Sequence, residues 1–155
     1  MTLQNGPQLD KIDRQLLREL QRDGRATYAE MSEVVGLTPP AVRARIQRLR
    51  DAGVVQVVAV TDPIALGLRE AAIVCIKVDG DPRVTADVLG EIPNVVYMVM
   101  AVGGYDIIAE VVCADREEFA EVLSEKIRKA PGVRLVDAYP YTSIHTHRFT
   151  WGVPE

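Results

Sequence analysis

The sequence predicts an α+β protein in two parts: three short helices, then a four-stranded antiparallel sheet of ferredoxin-like βαββαβ order. Three observations carry this. Up to Gly53 the apolar residues recur at helical spacing, and beyond it the residues turn β-branched with the spacing of strands. Turn-forming Gly, Pro and Asp residues punctuate the second part into alternating strands and helices. Charge divides at the same place: residues 1–53 hold nine Lys and Arg against seven Asp and Glu, a balance of +2, and residues 54–155 hold nine against fifteen, a balance of −6.

Residues 1–9 read as a leader. Asp10 then N-caps a first helix to about Arg22, with Ile12, Leu16, Leu17 and Leu20 as its stripe and Gly24 suited to the left-handed position after it. Thr27 and Glu30 form a capping box for a second helix carrying Ala29, Met31, Val34 and Val35, and Gly36 with Leu37 turns the chain. Thr38 caps a third helix, whose Pro39 and Pro40 cost little because first-turn amides have no helical partner. There Val42, Ile46 and Leu49 make an apolar face, with Arg43, Gln47 and Arg50 along one flank and Arg45 and Arg48 along the other.

The second part begins with a β-branched run over residues 54–61, expected as a strand, and a short turn at 64–68. Strands follow at 71–78, 95–102, 107–113 and 133–145. One helix opens at Asp81 and Pro82 with Val84, Val88, Leu89 and Ile92 inward, and another runs from Asp115 to Lys129 with Phe119, Val122, Leu123 and Ile127 inward. Both helices fall on one sheet face. The strands are apolar nearly throughout, so the opposite face needs its own cover, and a second copy of the chain is expected there. The division is a trihelical domain at 1–53, a strand hinge at 54–68 and a sheet domain at 69–155.

Two helices across a Gly-containing turn, the second one basic and a third before them, form the helix-turn-helix pattern. A solvated amphipathic helix would show the same arginines; the upstream capped helices favour a rod that enters the major groove of DNA. The candidate DNA contacts are Arg25, Thr38, Pro39, Ala41, Arg43, Arg45, Gln47 and Arg48. Arg45 and Arg48 are expected on phosphates, Arg43 and Gln47 on bases. The acidic sheet domain is expected to stay away from the groove.

No run of 18 or more apolar residues and no signal-peptide pattern is present, so a cytoplasmic protein without membrane partner is expected. No catalytic triad, phosphate loop or paired acids stand in a recognisable frame, which argues against an enzyme. Cys75 and Cys113 lie in apolar runs and read as buried thiols. His145 and His147, two apart, leave open a metal- or redox-responsive regulator, with Cys75 and Cys113 nearby. A DNA-organising protein without ligand is a further alternative. No metal site and no cofactor is expected.

Several short patterns stand in a specific order: Leu9, Asp10 and Asp13; Leu20, Gln21, Asp23, Gly24 and Arg25; Gly36 to Pro39; Arg45, Arg48 and Leu49; Gly53, Val54 and Val55; Gly103, Tyr105 and Asp106; Pro131, Gly132 and Val133. In these the chain resembles the Lrp/AsnC (feast/famine) family of transcriptional regulators, from Leu9 to about Thr146. The resemblance implies homodimers with winged helix-turn-helix heads on double-stranded DNA, a strand hinge and an ACT-like (RAM) domain that senses an amino acid or related metabolite. It implies further assembly into tetramers or octamers. It also implies an effector site at the turn, formed by Met100, Gly103, Gly104, Tyr105 and Asp106, with the glycine N–H groups on the ligand carboxylate and Asp106 on its α-ammonium. The family often has Ser or Thr where Pro40 and Ala41 stand, which throws specificity onto Thr38, Arg43 and Gln47. It commonly has threonines where Val136 and Ala138 stand.

Overall fold

A computed structural model describes residues 8–146 and 152–154. They fall into two compact units, one formed by the described residues up to Val60 and from Thr146, the other by Thr61–His145.

The first unit holds helices α1 (Lys11–Arg22), α2 (Tyr28–Val35) and α3 (Pro39–Asp51). Asp10 accepts the Asp13 N–H at 2.7 Å while the Asp13 side chain accepts the Asp10 N–H at 3.2 Å, a reciprocal capping box. Thr27 and Glu30 do the same for α2, and Gly36 closes it at φ +69°. Leu16, Met31, Val42 and Ile46 form the core, flanked by Ile12, Leu20, Ala26, Val35 and Leu37. Three expectations are corrected. Gly24 is not left-handed, because the chain leaves α1 through extended Asp23. Ala29 and Val34 are exposed, and Met31 with Ser32 faces inward. Residues 54–60 form no strand, because within one chain they have no neighbour to ladder with; Val57, Val58 and Val60 are exposed.

The second unit is β1 (Glu70–Val78), α4 (Pro82–Gly90), β2 (Val95–Met100), β3 (Ile107–Cys113), α5 (Arg116–Glu121, continuing as a π-helical turn over Val122–Ile127) and β4 (Val133–Pro140). The sheet is antiparallel in the order β2-β3-β1-β4. Alternation sets its two faces. Ala72, Val74, Ile76 and Val78 of β1 join Ile107, Val111 and Cys113 of β3 in a core with Leu89, Phe119, Val122 and Ile127 from the helices. The stripe expected of α4 holds at Leu89, which is buried, and at Ile92, which packs against the core, but Val84 and Val88 are exposed and Thr85 is buried instead. The Thr85 hydroxyl donates to the Pro131 carbonyl at 2.9 Å, which makes a buried threonine acceptable. The last strand ends at Pro140 rather than near His145.

The opposite sheet face holds Ile73, Cys75 and Lys77 of β1, Ile108, Glu110 and Val112 of β3, Tyr97 and Val99 of β2, and Leu135, Asp137 and Tyr139 of β4. Tyr97, Leu135 and Tyr139 are about half exposed. That face is thus apolar with three charges rather than wholly apolar. Among the described residues no helix is long and apolar enough to cross a membrane.

Candidate functional site

Helix α3 buries Val42, Ile46 and Leu49 and turns its remaining surface outward. Arg43, Gln47 and Arg50 follow one another at i, i+4 and i+7 and are all exposed. The Gln47 amide donates to Asp51 Oδ1 at 2.7 Å, so its side chain is held along the helix. Arg25 lies exposed in the turn before α2, and its N–H donates to Asp23 Oδ1 at 2.8 Å. Thr38 and Pro39 are exposed at the start of α3, and Ala41 is half-buried.

Two expectations about this helix are revised. The Thr38 side chain accepts no capping hydrogen bond, although the residue does stand at the N-cap. Prolines at N1 and N2 offer no N–H, and Ala41 at N3 has no side chain to answer the cap as Glu30 does in α2.

The second revision concerns charge. Arg45 and Arg48 are not free cations on an open rod, because both are drawn to Asp13 on α1. Arg45 Nη1 lies 2.9 Å from Asp13 Oδ1 and 2.5 Å from Asp10 Oδ2. Arg48 Nη2 lies 2.7 and 2.6 Å from the two Asp13 oxygens. The Asp13 side chain is only 1% exposed, against 30% for Arg45 and 58% for Arg48. A carboxylate so enclosed requires charged donors, and the two guanidiniums supply them. Hydrogen bonds that Arg45 donates to Asp10 and then to Asp13 hold its pKa above the ordinary value. The Asp13 N–H, followed by the Arg45 guanidinium, keeps Asp10 below the usual aspartate value. Sequence reading assigned Asp13 no site role. Its partners lie more than thirty residues away, and the local signal marks only a cap.

In the second unit the turn between β2 and β3 brings together the five residues expected at an effector. Met100 is exposed at the end of β2, Gly103 and Gly104 are exposed with open space around both, and Gly103 has φ +152°. Asp106 is already engaged: Oδ2 accepts the Val78 N–H at 2.9 Å, and Oδ1 lies 3.6 Å from Lys77 Nζ. The Val78 amide is the main reason its pKa is lowered, with Lys77 assisting. The carboxylate therefore fastens the turn to β1, with about a quarter of its side chain exposed. The Tyr105 hydroxyl donates to Asp137 Oδ2 at 2.5 Å, and hydrogen bonding to Asp137, then to Tyr139, raises its pKa well above the ordinary tyrosine value.

Cys113 belongs to the helix-covered core, while Cys75 alternates with core residues and so lies on the opposite face. They cannot share a ligand. His147 lies outside the described residues, and among those described no group of three His, Cys, Asp or Glu is placed to hold a metal ion.

Comparison with known proteins accounts for both units. Residues 9–50 match the AsnC-type helix-turn-helix domain, and residues 68–154 match the family model described as the PF0864 C-terminal dimeric alpha+beta barrel domain. An HTH-type transcriptional regulator of Pyrococcus abyssi, itself uncharacterized, is 35% identical over 149 residues, which cover 94% of this chain and 90% of that one. The leucine response regulatory protein LrpA of Mycobacterium tuberculosis is similar in structure, with a TM-score of 0.85 and 30% identity over 94% of this chain and 100% of that one. The transcriptional regulator NMB0573 of Neisseria meningitidis, solved as an L-Met complex, has a TM-score of 0.80 at 26% identity, covering 95% of this chain and 97% of that one.

Proposed function

The chain belongs to the Lrp/AsnC family of DNA-binding, helix-turn-helix transcriptional regulators, and from that premise we propose that it reads duplex DNA as a homodimer and answers to an amino acid or related metabolite. The observation that carries the reading is the exposed flank of α3, where Arg43, Gln47 and Arg50 line up above a buried apolar face. Arg suits guanine and Gln suits adenine in the major groove. Thr38, Pro39 and Ala41 stand at the start of α3 and Arg25 in the turn before α2, and they complete the proposed contact surface. Arg45 and Arg48 lie on it as partners of Asp13.

Support for a dimer comes from the uncovered sheet face, where Ile73, Val99, Ile108, Val112 and Leu135 would be wasted on water. Residues 54–60 would pair with their symmetry mates, and dimers would associate further into tetramers or octamers. Effector response draws support from the L-Met complex of the Neisseria relative. Here the ligand would meet the exposed backbone at Gly103 and Gly104, beside Met100, while Asp106 and Tyr105 keep the turn in shape.

Selection of binding sites from a random-sequence duplex library tests the reading. A two-fold related site is expected, with half-sites about one helical turn (~34 Å) apart or a multiple of that. Arg43→Ala and Gln47→Ala should each relax base preference at one position per half-site. Failure to enrich any sequence, or a single asymmetric half-site, would overturn it.

A further inference from the structure

Sequence-blind attraction between a protein and DNA comes from cations that displace counterions from phosphate, whereas specificity is the ratio between chosen and arbitrary sites. A recognition helix with four arginines would have a strong blind pull. In this protein two of the four are balanced by carboxylates of α1, with Asp13 against both Arg45 and Arg48 and Asp10 against Arg45. The cluster holds two acids and two guanidiniums and is neutral. Arg43 and Arg50 keep the outward positive charge of the helix.

Each balanced arginine retains N–H groups beyond those spent on the carboxylates, since a guanidinium carries five. It can thus still donate where the geometry fits, but its approach to an arbitrary phosphate releases little counterion. The enclosure of Asp13 fixes the arrangement, and Asp10, half exposed, completes its charge.

Resting on the reading of α3 as the DNA-reading helix, we propose that Asp10 and Asp13 are specificity-determining residues. They position Arg45 and Arg48 and cancel the sequence-blind pull of these arginines on the DNA backbone.

The test uses the full chain, a duplex selected by the wild-type protein and a scrambled duplex of equal composition, with affinity followed against salt. Asp10→Asn is the decisive variant because Asn caps a helix as well as Asp and leaves the fold in place. Asp13→Asn is its buried counterpart. On the scrambled duplex the slope of log affinity against log salt should steepen by about 0.9, one more phosphate contact, and affinity should rise roughly threefold or more at low salt. The ratio of selected to scrambled affinity should fall by a similar factor. A cluster that only braces the helices would move neither the slope nor the ratio, and that result in Asp10→Asn overturns the inference. If the wild-type chain enriches no sequence at all, the fault lies with the reading of α3.

Discussion

The two units treat their carboxylates in opposite ways. In the helical unit an enclosed acid, Asp13, is answered by full charges from Arg45 and Arg48. In the sheet unit the acids of the uncovered face are answered by neutral donors: Asp137 takes the Tyr105 hydroxyl and Glu110 takes the Tyr141 hydroxyl at 2.8 Å. Burial and Glu110 together push the Tyr141 pKa up to about 12. The difference follows the charge of each part. The first can spend arginines on its own acids and stay basic, whereas on the uncovered face of the second Glu110 and Asp137 are met by tyrosine hydroxyls. One unit thereby keeps a basic reading helix, the other an apolar face whose acids are met by hydroxyls.

Glycines give the strongest test of how differently the units are packed. Gly132 in the sheet unit has φ +83°, and a Cβ there would sit 2.6 Å from Thr85 Oγ1 and 3.2 Å from the Asp79 carbonyl. Gly132→Ala should cost about 2–4 kcal/mol, read as a lowered urea midpoint. Gly36 in the helical unit has φ +69° with nothing near a new Cβ, so Gly36→Ala should cost only about 1 kcal/mol, from backbone strain alone. Equal losses would show that the tight contact at Gly132 relaxes.

Within the helical unit the two threonine caps should separate. Thr27→Ala removes a working capping box and should cost about 1 kcal/mol in thermal unfolding, while Thr38→Ala, with no cap bond to lose, should stay within about 0.5 kcal/mol. Thr38→Ala should instead register in DNA affinity.

The smallest effect concerns acid. Because the Asp106 pKa is depressed in the folded chain, the stability it contributes is complete above the ordinary aspartate value of 3.8 and is lost as pH falls below it toward the depressed value. Asp106→Asn should therefore weaken the protein at neutral pH and flatten the decline on the acid side. Urea titrations between pH 2 and 7 would show an unchanged slope if the carboxylate were idle.

Most of the architecture was legible in the sequence because it is local. Asp10, Thr27 and Glu30 announce their helices by spacing alone, and the apolar, β-branched run of β3 announces a strand, although with both faces apolar only its place in the sheet decides which one is buried. What was not legible depends on distant partners. On α4 the valines at 84 and 88 outrank Thr85 in hydrophobicity, yet Thr85 goes inside because the Pro131 carbonyl awaits its hydroxyl. Residues 54–60 have every strand propensity and no partner in the chain. In the candidate site the arginines were plain, but their binding to Asp13 joins residues 32 and 35 apart, and periodicity carries no trace of it. The candidate effector turn came from the family resemblance, and the commitment of Asp106 to the Val78 amide was hidden for the same reason.

The valine-rich stretch at 54–60 also has a cost in the cell. Its exposed Val57, Val58 and Val60 lie on backbone that pairs with no strand of the chain, an apolar run that proteases or like segments would find open unless something covers it.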